Sequence, residues 1–201
     1  MKITKPIQVE PSFDAFVRDV GGRVLKDELG NSPTFKNADY IFDKEQIVAE
    51  LKCLEEDKLD DPKYLAKIEG MWQKWTVLGF VEGEPPETIW LDKLPTECAQ
   101  ELFSFASKAL KRVVEKANSQ IKETKEHLQL QDYFGLLLIA NDGNFALPAE
   151  TIDKMLGYVL NDKYSSIDCY VLVLLLTELD KRRTSASMSR RKVGNDGRAS
   201  A

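Results

Sequence analysis

The spacing of hydrophobic residues changes along the chain between a helical period and an extended one, which predicts helices interspersed with strands. Phe13, Phe16 and Val17 recur at helical spacing within the first predicted helix, residues 11–29. The other helical patterns cover residues 60–76, 94–130 and 147–162. Thr96 is the expected N-cap of the longest helix, because a threonine hydroxyl can bind a free N–H group at a helix start.

Four segments have the pattern of strands. Residues 38–42 and 46–54 are rich in Ile, Val, Tyr and Phe and flank a polar Asp-Lys-Glu, which predicts a β-hairpin. Residues 133–143 and 165–176 contain continuous apolar runs, which predict strands buried on both faces. The late order of strand, helix and strand favours parallel pairing, so the predicted fold is α/β, with a central mixed sheet flanked by helices.

Length and composition indicate one globular domain with a tail. The chain has 201 residues and is 43% hydrophobic, which is enough for one core. We expect an α/β domain over residues 1–180. Residues 181–201 are rich in Ser, Arg and Gly, and they predict a disordered basic tail.

Charge is distributed unevenly between these two regions. The net charge is −5, but residues 181–201 hold seven basic residues and one acidic residue, so residues 1–180 carry −11. A body this acidic is not typical of a general nucleic-acid binder. A nucleic-acid substrate would need one basic groove, the basic tail, or a partner subunit such as a second copy of the chain.

Several classes of site and location are disfavoured. His127 is the only histidine, and the three cysteines are scattered, so neither a histidine-based site nor a zinc or disulfide framework is indicated. Acid–base chemistry would fall to carboxylates, lysines or tyrosines. The longest apolar run, residues 170–176, is far shorter than the ~20 residues of a membrane helix. No secretory apolar core follows Met1, so we expect a cytoplasmic protein without membrane contact.

The candidate chemistry lies in the predicted hairpin. Glu50 and Lys52 interrupt an apolar, strand-like run, and alternation puts both side chains on one face of it. A turn near Lys44 would bring Asp39, on the preceding strand, towards them. Two carboxylates and an ammonium group would then suit Mg²⁺-assisted hydrolysis of a phosphodiester, with the carboxylates as metal ligands and the lysine acting on water or phosphate.

The segment "ADYIF…IVAELK" resembles the motif of the PD-(D/E)xK phosphodiesterase superfamily, whose members have the restriction-endonuclease-like fold. The resemblance implies a nuclease that depends on Mg²⁺, or Mn²⁺ in its place. Asp39 and Glu50 would be metal ligands and Lys52 the catalytic lysine, with DNA favoured over RNA as substrate. Ala38 stands where the motif has proline.

The same resemblance suggests auxiliary residues. Some members add a carboxylate on the first helix, for which Glu28 is the first candidate and Asp27 the second. Others add a polar residue on the helix after the motif, where Gln120 precedes Lys122 as the candidate.

Three other interpretations stay open at this point. Glu50 and Lys52 could form the solvated face of an edge strand. The fold could be a catalytically inactive nuclease-like module that acts in protein–protein interaction or regulation. A helical regulatory protein that lacks the hairpin is the third.

Overall fold

The computed structural model describes residues 8–30, 33–54, 61–86, 89–141, 149–161 and 164–174. Its α-helices are α1 (Val9–Asp19), α2 (Leu25–Leu29), α3 (Pro62–Val77), α4 (Thr96–His127) and α5 (Ala149–Leu160). Its strands are β1 (Arg23–Val24), β2 (Tyr40–Phe42), β3 (Ile47–Leu54), β4 (Phe134–Asn141) and β5 (Cys169–Leu174). A short 3-10 helix, Leu91–Lys93, precedes α4.

The strands form one mixed sheet in the order β1-β2-β3-β4-β5. The pairs β1–β2 and β2–β3 are antiparallel, whereas β3–β4 and β4–β5 are parallel. The hairpin and the late parallel pairing predicted from the sequence are therefore confirmed. Residues 43–46 form the hairpin turn, in which Gln46 has a φ of 56°. These findings confirm a mixed α/β fold with helices flanking the sheet.

Each face of the sheet has its own core because successive strand side chains point to opposite faces. On one face, Ala49 and Leu51 of β3 pack with Val9 and Val17 of α1. On the other face, Val48 packs against Ile121 of α4. The alternate residues of β4 complete this second core with α4 and α5; they are Leu137 and Ile139. Strand β3 is thus covered on both faces, which determines the environment of its charged residues.

The first predicted helix is shorter than the sequence pattern suggested. Helix α1 ends at Asp19, and Gly21 has a φ of 79°, a backbone conformation that favours glycine. A Cβ atom at Gly22 would lie 2.8 Å from Val17 Cγ1, so a larger residue does not fit there without a shift. The chain then forms β1, whose Val24 pairs with Tyr40, before it enters α2. Pairing with the hairpin therefore overrides the helical pattern in this segment.

Two further expectations are corrected. Strand β5 is an edge strand of the described sheet rather than a strand buried on both faces, and Val171 in it is 47% exposed. None of its six residues is buried, so the apolar run did not indicate burial on both faces. Thr96 is the first residue of α4, and Pro95 takes the N-cap position. The domain boundary at residue 180 and the basic tail of 181–201 lie outside the described residues.

Among the helices that the structure describes, none combines the length and the apolar character needed to cross a membrane.

Candidate active site

The register of the hairpin brings Asp39 to Glu50. Tyr40 lies opposite Ala49, and the Asp39 N–H donates to the Ala49 carbonyl at 3.2 Å. The Asp39 carboxylate accepts a hydrogen bond of 2.8 Å from the Leu51 N–H. This bond holds the carboxylate against β3 next to the position of Glu50, and each of the two carboxyl groups affects the pKa of the other.

Glu50 is a fully buried acid in the middle of the sheet. Its side chain is about 1% exposed, and its Oε1 contacts Lys52 Nζ. Its Oε2 is buried without a hydrogen-bond partner among the described residues. Because β3 lies between β2 and β4, the interpretation of Glu50 and Lys52 as a solvated edge face is wrong. An unpartnered buried carboxylate oxygen is costly and calls for a functional explanation.

Lys52 is held from both sides of its ammonium group. Its side chain is 16% exposed and contacts Glu50 on its own strand. Its Nζ also donates to Gln120 Oε1 of α4 at 2.9 Å. Gln120 Nε2 in turn donates to the Asn37 carbonyl at 2.9 Å. The amide of Gln120 therefore links the lysine to the segment that leads into Asp39.

Helix α4 also fixes the chain just before Asp39. The Ala38 N–H donates to Thr124 Oγ1 at 2.7 Å, and both residues are fully buried. The Lys36 N–H donates to the Glu123 carboxylate at 2.9 Å. Residues 36–38 form no sheet ladder, so these side chains satisfy backbone groups that would otherwise be unpaired. The position of Asp39 thus depends on α4 as well as on the hairpin.

Burial sets the protonation of the two acids. It raises the pKa of Glu50 from its usual 4.5 to about 8, and the neighbouring Asp39 adds to this effect while Lys52 opposes it. Burial also raises the pKa of Asp39, against the lowering effect of the hydrogen bond from Leu51 and of the Lys52 charge. Two carboxyl groups this close ionise together only when positive charge is nearby. The pair is therefore electrostatically suited to a cation.

A small cavity of about 70 Å³ opens onto Asp39 from the side of α1. Tyr40 and Leu51 line its sheet side, and Val24 contributes an apolar wall. Charged residues from α1 and α2 complete the lining; they are Glu10, Asp14 and Lys26. The cavity gives access to Asp39 from the α1 face of the sheet, whereas Glu50 and Lys52 do not line it.

The structure brings together four of the residues that the sequence singled out. Asp39, Glu50, Lys52 and Gln120 form one connected set. Glu28 is placed elsewhere, because both of its carboxylate oxygens accept hydrogen bonds from the Arg23 guanidinium.

The second-choice auxiliary residues also have other contacts. Asp27 pairs with Arg18, and Lys122 lies 3.9 Å from Glu126 on the exposed side of α4.

Glu10 is an acid beside Asp39 that the sequence pattern did not single out. It lies in the first turn of α1, lines the cavity next to Asp39, and its charge raises the pKa of Asp39. The helix was predicted to begin at Pro11, but it begins at Val9. Proline is tolerated throughout the first helical turn, so "VEPSF" was compatible with an earlier start.

The donor set is small but fits a hard divalent cation. The described residues contain no group of three or more His, Cys, Asp or Glu side chains placed to hold a metal ion. Mg²⁺ often takes only one or two protein carboxylates and keeps its remaining ligands as water and substrate oxygens. Asp39 and Glu50 supply such a pair, and the unpartnered Glu50 Oε2 is an oxygen that a cation would satisfy.

Searches with this chain among protein-family models, curated proteins and solved structures found no match. The function is therefore inferred from the residues and their geometry.

Proposed function

We propose that the protein is a Mg²⁺-dependent nuclease with a restriction-endonuclease-like fold, which hydrolyses phosphodiester bonds of nucleic acid, with DNA favoured over RNA. One observation carries the proposal: Glu50, whose buried Oε2 has no hydrogen-bond partner among the described residues, contacts Lys52 and has its pKa raised by the nearby Asp39. The fold supports it too, because Asp39 immediately precedes β2 and Glu50 lies on the adjacent strand β3 of a mixed sheet flanked by helices.

Asp39 and Glu50 would hold the cation. When bound there, a divalent ion lowers the pKa of its water and neutralises charge that grows on the phosphate. The positive charge also lets both carboxyl groups ionise inside a buried site. The Leu51 N–H keeps the Asp39 carboxylate oriented for this role.

Lys52 would act on the attacking water or on the phosphate. Its ammonium group is a compact cation with three donors, of which Glu50 and Gln120 engage two. The remaining N–H can donate to a phosphate oxygen or orient a water molecule. Because Gln120 is anchored to Asn37, the ammonium group is positioned before substrate arrives.

A non-catalytic interaction module is the second candidate. The net charge of −11 over residues 1–180 favours it, because an acidic surface repels nucleic acid. This candidate leaves the acid pair without a role, and the pair destabilises the fold by its burial. The hydrogen bond from the Leu51 N–H, which holds the Asp39 carboxylate next to Glu50, supports the catalytic candidate over it.

The proposal is tested with the full chain on single- and double-stranded DNA and RNA, in Mg²⁺, in Mn²⁺ and in excess chelator. We expect metal-dependent cleavage that Glu50→Ala and Lys52→Ala each reduce by at least about a hundredfold. Glu69→Ala on α3 is the control, because this exposed acid lies away from the site. Absence of cleavage on every substrate, or equal cleavage by the Glu50 and Lys52 variants, would refute the nuclease.

A further inference from the structure

Lys26 is the only basic side chain among the described residues that line the cavity at Asp39. The lining otherwise includes three acids, Glu10, Asp14 and Asp39. An anionic group that approaches Asp39 through this cavity therefore meets net negative charge, with Lys26 as its one source of attraction on that side.

The ammonium group of Lys26 is held by a buried acid. Lys26 Nζ contacts Asp14 Oδ2; the Asp14 side chain is 8% exposed, whereas that of Lys26 is 53% exposed. Asp14 Oδ1 accepts a hydrogen bond of 3.2 Å from the hydroxyl of Tyr40, which is itself buried. The Lys26 ammonium group is thus held by Asp14 on one side and exposed to solvent on the other.

This arrangement differs from an ordinary surface ion pair. Exposed pairs hold their side chains loosely and contribute little to stability. Here Asp14 is buried between α1 and the sheet, and Tyr40 belongs to β2, one residue from Asp39. The Asp14 contact also raises the pKa of Lys26, which keeps the group charged. Lys26 is therefore a pre-positioned cation at the cavity beside Asp39.

We propose that Lys26, positioned by Asp14 and Tyr40, binds a backbone phosphate of the nucleic-acid substrate at the cavity beside Asp39. The inference rests on the proposed function and adds a substrate contact to it. Lys52 lies on the face of the sheet that α4 covers, whereas Lys26 lies on the α1 side of Asp39. Because the lysine contacts only phosphate, its effect is the same for every base sequence.

The test measures binding of a short labelled DNA duplex and a short labelled single strand in Mg²⁺, across a range of salt concentrations. The protein is the full chain in a Lys52→Gln background, in which we expect no cleavage. Lys26→Met should weaken binding by about tenfold and lower the slope of log affinity against log salt by about 0.9 on duplex and 0.7 on single strands. Lys26→Arg should retain most of the affinity and the full slope.

Lys74→Met is the matched control. Lys74 is 54% exposed and pairs with Glu101 on the helix pair α3–α4, away from the cavity. Lys74→Met removes the same charge as Lys26→Met. Because Lys74 lies away from the cavity, its loss should leave the salt slope unchanged. Because Lys26→Met leaves the buried Asp14 without its partner, Asp14→Asn combined with Lys26→Met provides a variant with no lone buried charge. The double variant should fold and show the same reduced slope.

The outcomes separate the two proposals. Cleavage by the parent chain with an unchanged slope in both Lys26→Met variants would overturn the role of Lys26 and leave the nuclease standing. A salt slope that depends on Lys26, without any cleavage by the parent chain, would overturn the nuclease and leave the phosphate contact of Lys26 standing. Absence of both binding and cleavage would overturn both.

Discussion

Lys52 Nζ and Gln120 Oε1 are 2.9 Å apart, although 68 positions separate the two residues in the chain. The contact joins the second half of β3 to the last quarter of α4, and it orients the lysine next to Glu50. The amide donates to the Asn37 carbonyl and accepts from Lys52, so one side chain supports β3 and the segment that leads into β2. Gln120 is thus a positioning residue for the candidate site.

Gln120→Leu should lower kcat by roughly tenfold with little change in KM, because the lost hydrogen bond to a charged group is worth about 1.5 kcal/mol of positioning. Steady-state cleavage kinetics in Mg²⁺ measure the effect. Ser119→Ala is the control, since the Ser119 hydroxyl bonds only to its own helix at Glu115 in the described contacts. A kcat for Gln120→Leu equal to that of the control would show that Lys52 does not need this support.

The stability of the metal-free protein should fall as pH rises from about 4.5 to about 8. The pKa of Glu50 is about 8 in the folded state, against 4.5 without the fold, so in this interval the folded protein holds a proton that the unfolded chain has lost. Loss of that proton costs on the order of a few kcal/mol. Urea unfolding in chelator at several pH values measures the slope, and Glu50→Gln should flatten it. An equally steep slope in that variant would contradict the assignment.

Mg²⁺ should raise the melting temperature at pH 8 and have a much smaller effect at pH 5. At the higher pH the cation meets ionised carboxylates, whereas at the lower pH it must displace the proton on Glu50. Differential scanning fluorimetry with and without Mg²⁺ tests this without any substrate. Glu50→Gln and Asp39→Asn should both abolish the shift, while Glu69→Gln on α3 should keep it. A shift of full size in the two site variants would place the metal elsewhere.

Thr124→Val should destabilise the fold by about 1–3 kcal/mol, because the buried Ala38 N–H would lose its hydrogen-bond acceptor. It should also reduce cleavage, since Ala38 precedes Asp39. Thr76→Val, which removes a hydroxyl that donates to the carbonyl of Trp72 within α3, is a matched control with a smaller expected effect. Chemical denaturation of both variants gives the comparison, and equal losses would argue against a special role for the Ala38 contact.

The local pattern determined the hairpin and the candidate acid–lysine set. Short β-rich segments around a polar turn are sufficient to predict antiparallel pairing, and the alternation of β3 places Glu50 and Lys52 on one face. The same alternation predicted their approach to Asp39, because paired strands have a register that a short turn constrains. Gln120 was found through the resemblance to a known motif, since nothing in its own helical segment distinguishes it from a surface residue.

Only the tertiary structure decided which distant residues complete the site. Glu10 and Lys26 reach the cavity because α1 ends at Asp19 and the chain then forms β1, which pairs with β2. The helical spacing of residues 11–29 did not predict this change of direction. The edge position of β5 likewise depends on strand order, which an apolar run does not encode. The spacing of hydrophobic residues indicates which face of a segment is buried, because that spacing belongs to the segment alone. The partners across that face depend on how all segments pack together, and that is a property of the whole fold.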